Sequence, residues 1–206
     1  MQQEIIASFQ ENVAGFTEIQ TLAPVIEKIA LMCIDAIRNN RKVMFCGNGG
    51  SAADSQHLAA ELVGRDKMNR PAMNAIALTT DSSILTAIGN DYGYDTIFER
   101  QVEGLGQKGD VLVGISTSGN SKNVLRAFEM ARKKGVSTVA FTGKSGGRMK
   151  ETADICVNVP SHITLNQCHL FNSTSGVPSD VTNHIQEMHI AVGHLICGLV
   201  ERVVNG

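Results

Sequence analysis

The sequence has no tryptophan, two tyrosines, four prolines and no long run of charge of one sign. Aromatic residues make up only 4% of the chain, which argues against the base-stacking surfaces of proteins that bind single-stranded nucleic acid. Lys and Arg total 18 against 20 acidic residues, so a basic surface for a polyanion is not expected. No apolar run reaches the length of a membrane-spanning helix, and the N-terminus lacks the pattern of a signal peptide. We therefore expect neither nucleic acid nor a membrane as a partner.

Cysteine usage indicates the cellular compartment. The chain has an odd number of cysteines and no C-x-x-C pair, and most of them lie in apolar runs. Reduced, buried thiols in a cytoplasmic protein are therefore expected rather than a disulfide framework. The hydrophobic fraction of 43% in 206 residues is enough for one core, so we expect a single domain over 1–206. The cysteines are Cys33, Cys46, Cys156, Cys168 and Cys197.

From residue 42 onward, short apolar runs alternate with helical patterns. The runs are continuous rather than alternating, which is typical of strands covered on both faces. Their alternation with helices predicts an α/β protein with a doubly wound, parallel, five-stranded sheet. The predicted strands are 43–46, 75–78, 111–115, 138–141 and 155–159. The predicted helices are 52–63, 83–88 with 95–105, 121–134, a short one near 148–151, and 182–203.

Two further segments lie outside this alternation. Residues 1–40 show helical spacing, with a second helix starting at Pro24, and are apolar on more than one side. We expect these N-terminal helices to pack against a partner subunit. The polar stretch 161–179 is flanked by two copies of Val-Pro-Ser, which indicates a loop insertion before the last helix.

Two loops rich in glycine and serine each follow a predicted strand and precede a predicted helix. The first, 47–51, suits close approach of backbone amides to an anion at a helix N-terminus, or simply a tight turn with Ser51 as the helix cap. The second, 114–121, carries four hydroxyls, of which capping by Ser121 would explain only one. Both loops would lie at the carboxyl edge of the sheet, where ligands bind. We predict that the second loop holds a phosphate.

Two helices carry candidate acid, base and metal-binding groups. His57 and Glu61 are four residues apart and share a helix face, which suits a metal pair, a base with its partner, or an ordinary surface pair. Gln186 and His194 on the last helix could flank one site only by reaching toward each other. His189 on the same helix is expected to pack at an interface rather than to act in catalysis.

A phosphate loop, a carboxylate and a histidine together indicate chemistry on a sugar phosphate. Aldose–ketose isomerisation needs a base beside a carbonyl and a group that stabilises the enediolate oxygen. Glu61 could be the base, His194 the acid and a zinc ion the electrophile. Asn90 and Asp91 follow a helical pattern, where turn formation and ligand binding are equally good interpretations.

These motifs, in this order, resemble the SIS (sugar isomerase) domain family and, within it, the phosphoheptose isomerases. The resemblance implies a flavodoxin-like sheet and a cytoplasmic homotetramer with active sites between subunits. It also implies an aldose–ketose isomerase that converts D-sedoheptulose 7-phosphate to D-glycero-D-manno-heptose 7-phosphate for lipopolysaccharide heptose synthesis. The matching segments are 47–57, 61–65, 69–71, 89–91, 109–112, 115–121, 142–144 and 185–189.

The resemblance also implies roles for individual residues. Glu61 would be the catalytic base and His194 the catalytic acid. One zinc ion per site would be held by His57, Glu61, Gln186 and His194. The implied substrate contacts are Asn48, Gly49, Gly50, Ser51, Glu61, Asn90, Asp91, Ser116, Thr117, Ser118, Ser121 and Gln186.

The chain departs from the family pattern at two places. His184 stands where the family usually has arginine, so a positive charge near the site is missing. The 161–179 insertion could be a lid, a decoration or a loop. Its His162, Cys168 and His169 lack paired metal-ligand spacing, so we expect exposed loop residues there.

Two rivals share the fold. One is a non-enzymatic SIS protein that binds the bacterial replication initiator. That family lacks the catalytic carboxylate and the final histidine, which this chain retains as Glu61 and His194. The other is a different SIS enzyme, such as an arabinose phosphate isomerase or an amino-sugar phosphate etherase. Such enzymes would differ around the Gly-Asn-Gly-Gly-Ser loop at 47–51.

Overall fold

The computed structural model describes residues 1–161 and 182–205 of the chain. Its centre is one parallel sheet with the strand order β2-β1-β3-β4-β5. This is the flavodoxin-like order, and its direction reverses between β1 and β3. The predicted sheet is confirmed. The strands are β1 (Val43–Gly47), β2 (Ala75–Ala77), β3 (Val111–Ser116), β4 (Ser137–Thr142) and β5 (Ile155–Asn158).

Helices cover both faces of the sheet and begin and end close to the predicted positions. A single 3₁₀ turn, Ile19–Leu22, links the first two helices, and a second, Tyr94–Thr96, precedes the fifth. The helices are α1 (Gln2–Glu18), α2 (Ala23–Arg38), α3 (Gly50–Val63), α4 (Ser82–Tyr92), α5 (Ile97–Leu105), α6 (Lys122–Lys134), α7 (Gly147–Thr152) and α8 (Thr182–Asn205).

The continuous apolar strands divide their side chains between two core layers. Val43 and Phe45 of β1 point into the layer that packs on α2, α3 and α8. Met44 and Cys46 point into the layer that packs on α5 and α6. Successive strand residues point to opposite faces, so a strand buried on both faces must be apolar throughout. The strands do not alternate between apolar and polar residues because helices cover both faces of the sheet.

Two boundaries differ from the predictions. Helix α3 begins at Gly50, and its N-cap is Gly49 with φ of +57°, so Ser51 lies inside the helix instead of capping it. Helix α4 runs on to Tyr92, which places Asn90 and Asp91 in its last turn rather than in a turn after it. That helix ends at Gly93, whose φ of +88° favours glycine.

Helix α1 leaves an apolar stripe exposed. Ile5, Ile6, Phe9 and Val13 have exposed fractions between 50% and 68%. The inner side of α1 meets α8 at His184, whose Nδ1 lies 2.6 Å from Asn12 Oδ1 and whose Nε2 lies 3.6 Å from a Glu11 carboxylate oxygen. At position 184, where the resemblance leads us to expect arginine, a buried histidine thus faces an acidic residue of α1.

The predicted insertion at 161–179, with His162, Cys168 and His169, lies outside the described residues apart from Ser161. Over the part of the chain that the structure describes, none of the helices combines the length and the apolarity needed to span a bilayer.

Candidate active site

Helices α3 and α8 lie against each other on one face of the sheet, and their contact builds the site. Leu58 of α3 is buried against Gly193 of α8, where a Cβ atom would lie only 2.5 Å from a Leu58 methyl carbon. The glycine therefore lets the two helices come closer than any other residue would allow. This approach sets the distance between the polar side chains that the two helices carry beside Leu58.

Three of these side chains form one cluster. His57 Nε2 lies 2.7 Å from His194 Nε2 and 3.2 Å from Glu61 Oε1. The two imidazole rings meet edge to face, with centroids 4.9 Å apart. Both histidines are exposed and Glu61 is partly buried, so the cluster is open to a ligand. The structure thus brings together both predicted catalytic residues, Glu61 and His194.

The cluster forms within one chain. The sites between subunits that the resemblance implies are therefore not what brings His194 to Glu61. Helix α8 folds back along α3 of the same chain, because both pack their apolar sides on the same face of the sheet. A second subunit is not needed to bring His194 to Glu61.

Gln186 lies farther toward the N-terminal end of α8, beside the start of α3. Its Nε2 donates a hydrogen bond to Asp54 Oδ1 at 3.1 Å. Its amide also fills the space beside Gly50, where a Cβ atom would lie 2.2 Å from Gln186 Oε1. Gly50 of the first loop is therefore needed for packing against α8, whatever it contributes to ligand binding.

Asp54 is a site residue that the sequence analysis missed. It is buried, and its Oδ2 has no hydrogen-bond partner among the described residues. Burial raises the pKa of Asp54, although the Gln186 hydrogen bond and the nearby His57 and His194 oppose the rise. A signal was available, because Asp54 is three residues before His57 and seven before Glu61, on the same helix face.

The donor set suits a divalent cation. The ligand atoms of His57, Glu61 and His194 all lie within 4.8 Å of one another. Two imidazoles and a carboxylate are a typical set for a catalytic zinc site that keeps a position open. The two Nε2 atoms face each other, so without a cation one must carry a proton that the other accepts. The buried carboxyl group of Asp54, with one oxygen unpaired among the described residues, lies close enough to His57 and His194 to interact with both electrostatically.

The second loop places its hydroxyls in one group. Ser116 Oγ lies 2.8 Å from Ser121 Oγ and 3.4 Å from Ser118 Oγ. Ser121 is the N-cap of α6, as predicted, but its hydroxyl makes no capping bond and turns toward Ser116 instead. The loop is fixed from outside by the Gly143 N–H, which donates to the Thr117 carbonyl at 3.1 Å.

The first loop is tied to α6 by a pair of amides. Asn48 and Asn123 exchange hydrogen bonds through their side chains, at 3.0 and 2.8 Å. The Tyr94 hydroxyl donates a third bond to Asn48 Oδ1 at 2.9 Å. Neither Asn123 nor Tyr94 is among the residues predicted from the sequence. The side chain of Asn48 is thereby joined to the helix that follows the second loop and to the turn before α5.

Four of the other predicted substrate residues lie at the ends of helices α4 and α3. Asn90 and Asp91 are exposed in the last turn of α4, and Asn90 Nδ2 donates to Asp91 Oδ1 at 2.8 Å. Tyr94, two residues after α4, is what connects this segment to the first loop. Gly49 is exposed at the start of α3, whereas Ser51 is buried inside that helix.

Comparison with known proteins gives the family. A family model described as the SIS domain matches residues 8–143. A phosphoheptose isomerase of Akkermansia muciniphila is 59% identical over 192 residues, which cover 93% of this chain and 92% of that protein. Phosphoheptose isomerase structures from Neisseria gonorrhoeae and Francisella tularensis cover 98% of this chain and of their own, with TM-scores of 0.83 and 0.86 at 38% and 33% identity. This chain belongs to the phosphoheptose isomerase family.

In this phosphoheptose isomerase family member, a buried histidine anchors α8 to the sheet. His189 lies between Gln186 and His194 along the helix, and its Nε2 donates to the Thr142 carbonyl at 3.0 Å. Its Nδ1 is buried and has no hydrogen-bond partner within the described residues. Burial lowers the pKa of His189 to about 4, against the opposing effect of the Thr142 bond. His189 packs inside the chain, where α8 meets Thr142 of β4, which agrees with the expectation that it packs rather than acts in catalysis.

We predict that His189→Gln reduces the loss of stability on acidification. The unfolded chain binds a proton on His189 near pH 6.5, whereas the folded protein does so only near pH 4, so this group removes stability as the pH falls between the two values. The shift corresponds to about 3 kcal/mol. Urea unfolding of both proteins at pH 7 and pH 4 measures the difference. The same pH dependence in both would contradict the prediction.

Proposed function

We propose that the protein is a sedoheptulose 7-phosphate isomerase that forms D-glycero-D-manno-heptose 7-phosphate for heptose synthesis. The observation that carries the proposal is the meeting of Glu61 and His194 beside His57 in one exposed cluster. Relatives named phosphoheptose isomerase, up to 59% identical, support the substrate. We assign the described helices and sheet to one SIS domain, which supplies both the cluster and the loop that would bind phosphate.

The reaction needs a proton moved between two neighbouring carbons. We assign this step to Glu61, whose carboxylate would remove the proton at C1 of the ketose and return it at C2. Oε1 of Glu61 lies 3.2 Å from His57 Nε2, and we assign the transfer to the other carboxylate oxygen. His194 would move the proton between the two substrate oxygens. The partial burial of Glu61 keeps the base away from bulk water.

We propose one zinc ion per site, held by His57, Glu61 and His194 with Gln186 as a further ligand. The cluster of two imidazoles and a carboxylate supports this assignment. A bound zinc ion would supply a Lewis acid beside the substrate carbonyl.

We propose that the substrate phosphate binds at the second loop, to Ser116, Thr117, Ser118 and Ser121. The grouping of Ser116, Ser118 and Ser121 within hydroxyl contact distance supports this, since neutral donors at a helix N-terminus bind phosphate well. We propose Asn48, Gly49, Gly50 and Ser51 of the first loop, with Asn90, Asp91, Glu61 and Gln186, as contacts for the sugar. The Asn48–Asn123 bonds support this by joining the first loop to the helix that follows the second loop.

The non-enzymatic rival is not favoured. Binding of a replication initiator would require neither the base nor the final histidine, yet this chain has both, and the fold brings them together. The curated relatives reported above carry the name of an enzyme.

We propose that the protein is a cytoplasmic homotetramer with its active sites near subunit boundaries. The exposed stripe of Ile5, Ile6, Phe9 and Val13 on α1 supports the oligomer, because single apolar residues are common on surfaces but contiguous stripes mark contacts. The four described cysteines are free, as expected in a reducing compartment.

Glu61→Gln and His194→Gln are each expected to lower kcat for sedoheptulose 7-phosphate by at least about 100-fold, because each removes a proton-transfer group. A coupled assay with added zinc measures the rate, and exchange of the C1 proton with deuterated water reports the base step alone. Asp110→Asn, at the opposite edge of the sheet, is the control and should keep its rate. Wild-type rates in either site variant would refute the assignment.

Ser121→Ala is expected to raise KM for the phosphorylated ketose by about 10-fold or more, since a hydrogen bond to a charged group contributes about 1.5–3 kcal/mol. The effect on kcat should be small, because the phosphate does not react. Thr152→Ala is the matched control, since that hydroxyl bonds only within α7. Equal KM values for Ser121→Ala and Thr152→Ala would contradict a phosphate role for the loop.

Phe9→Asp together with Val13→Asp is expected to dissociate the oligomer, because two charges would be buried in an apolar contact. Sedimentation equilibrium should give four times the 22.0 kDa chain mass for the wild type and less for the variant. Leu105→Asp places a charge on an exposed apolar residue of α5 and serves as the control. A wild-type mass for the double variant would rule out this stripe as the contact.

A further inference from the structure

A buried ion pair joins the loop after α3 to the C-terminal half of α8. Arg70 Nε lies 3.1 Å from Glu201 Oε1, and both side chains are only 1% exposed. Glu201 also accepts the backbone N–H groups of Asp66, Lys67 and Met68, at 2.8 to 3.1 Å. Burial opposes ionisation, but these N–H donors and Arg70 lower the pKa of Glu201. The carboxylate therefore accepts hydrogen bonds from four donors, three backbone N–H groups and the Arg70 guanidinium.

The guanidinium of Arg70 also holds the end of α3. Its Nη2 donates to the Glu61 carbonyl at 2.9 Å, and its Nη1 donates to the Leu62 carbonyl at 2.8 Å. These carbonyls belong to the last turn of the helix, which has no intrahelical donors for them. The same Glu61 whose side chain faces His57 thus has its backbone bonded to Arg70.

The Arg70–Glu201 pair lies close to the His57–Glu61–His194 cluster along α8. Glu201 is seven residues after His194, two turns along the same face of α8. The Gln186–Asp54 bond lies on the other side of the His57–Glu61–His194 cluster. The cluster therefore lies between two polar contacts that join α8 to α3 and to the loop after it. One is the Gln186–Asp54 hydrogen bond, and the other is the Arg70–Glu201 ion pair.

We propose that Arg70 and Glu201 are positioning residues that set the distance between Glu61 and His194. The inference rests on the proposed function, since it concerns the catalytic and metal-binding groups assigned above. The pair touches neither the imidazoles nor the Glu61 carboxylate, so it acts through the backbone of α3 and the placement of α8. Loss of the pair would let the C-terminal ends of the two helices separate and move His194 away from His57.

A purely structural ion pair of the same kind provides the comparison. Lys42 Nζ lies 2.6 Å from Asp110 Oδ2, and Asp110, 1% exposed, also accepts the backbone N–H groups of Lys42 and Gln107. This pair lies before β1 and β3, at the edge of the sheet opposite the site. Its loss should lower stability without moving α3 relative to α8.

The experiment compares Glu201→Gln and Arg70→Lys with Asp110→Asn in the full chain. Zinc affinity is measured by competition with a chelator, at a temperature where circular dichroism shows each variant folded. The nuclear Overhauser effect between the His57 and His194 rings is measured without metal. We expect about 10-fold or greater loss of zinc affinity in Glu201→Gln and Arg70→Lys, with a weakened ring contact. Asp110→Asn should keep both wild-type values, even at an equal loss of melting temperature.

Other outcomes separate this inference from the proposed function. Arg70→Lys keeps the charge but cannot reach Glu201 and two carbonyls at once, so it decides the matter if Glu201→Gln does not fold. A wild type that binds no zinc would refute the metal assignment, while the ring contact would still test positioning. The proposal would be overturned if Glu201→Gln and Arg70→Lys both kept the zinc affinity and the ring contact of the wild type. It would also be overturned if Asp110→Asn lost as much zinc affinity and ring contact as they do.

Discussion

The close contact between α3 and α8 is the constraint on which the site depends. A cluster of two imidazoles and a carboxylate can form only if two helices distant in sequence lie side by side in a fixed register. Gly193 makes this possible by leaving room for Leu58, and Gly50 does the same for Gln186. Two glycines and two larger side chains thus let the helices approach closely, and the Gln186–Asp54 and Arg70–Glu201 contacts join α8 to α3 and its following loop on either side of the cluster.

The contact between α3 and α8 places a buried carboxyl group next to His57 and His194. Asp54 is buried with one oxygen unpaired, and burial raises its pKa. Such a group lowers stability in the absence of a cation, whereas a positive ion bound to the neighbouring His57 and His194 would be stabilised by it. The unpaired oxygen therefore agrees with the proposal that the cluster serves binding and catalysis rather than stability.

The strand order explains why the two glycine–serine loops lie together. Because β1 and β3 are neighbours and the order reverses there, the loops after them face one crevice. The Asn48–Asn123 amide pair then joins the first loop to the helix that follows the second. A phosphate at one loop and a reacting carbonyl near the other would thus be held by groups that are already fixed to each other.

The sequence by itself determined the sheet, since strands such as 43–46 are apolar at every position and only a sheet covered on both faces requires that. It also indicated His57 and Glu61 as a pair, because spacing along one helix is a local property. Only the tertiary structure decided that His194 meets them within one chain, that Asp54 lies beside the two histidines, that Asn123 bonds to Asn48, and that Arg70 bonds to the Glu61 carbonyl. These contacts join residues far apart in the chain, and their distances depend on how closely two helices pack, which no local pattern encodes.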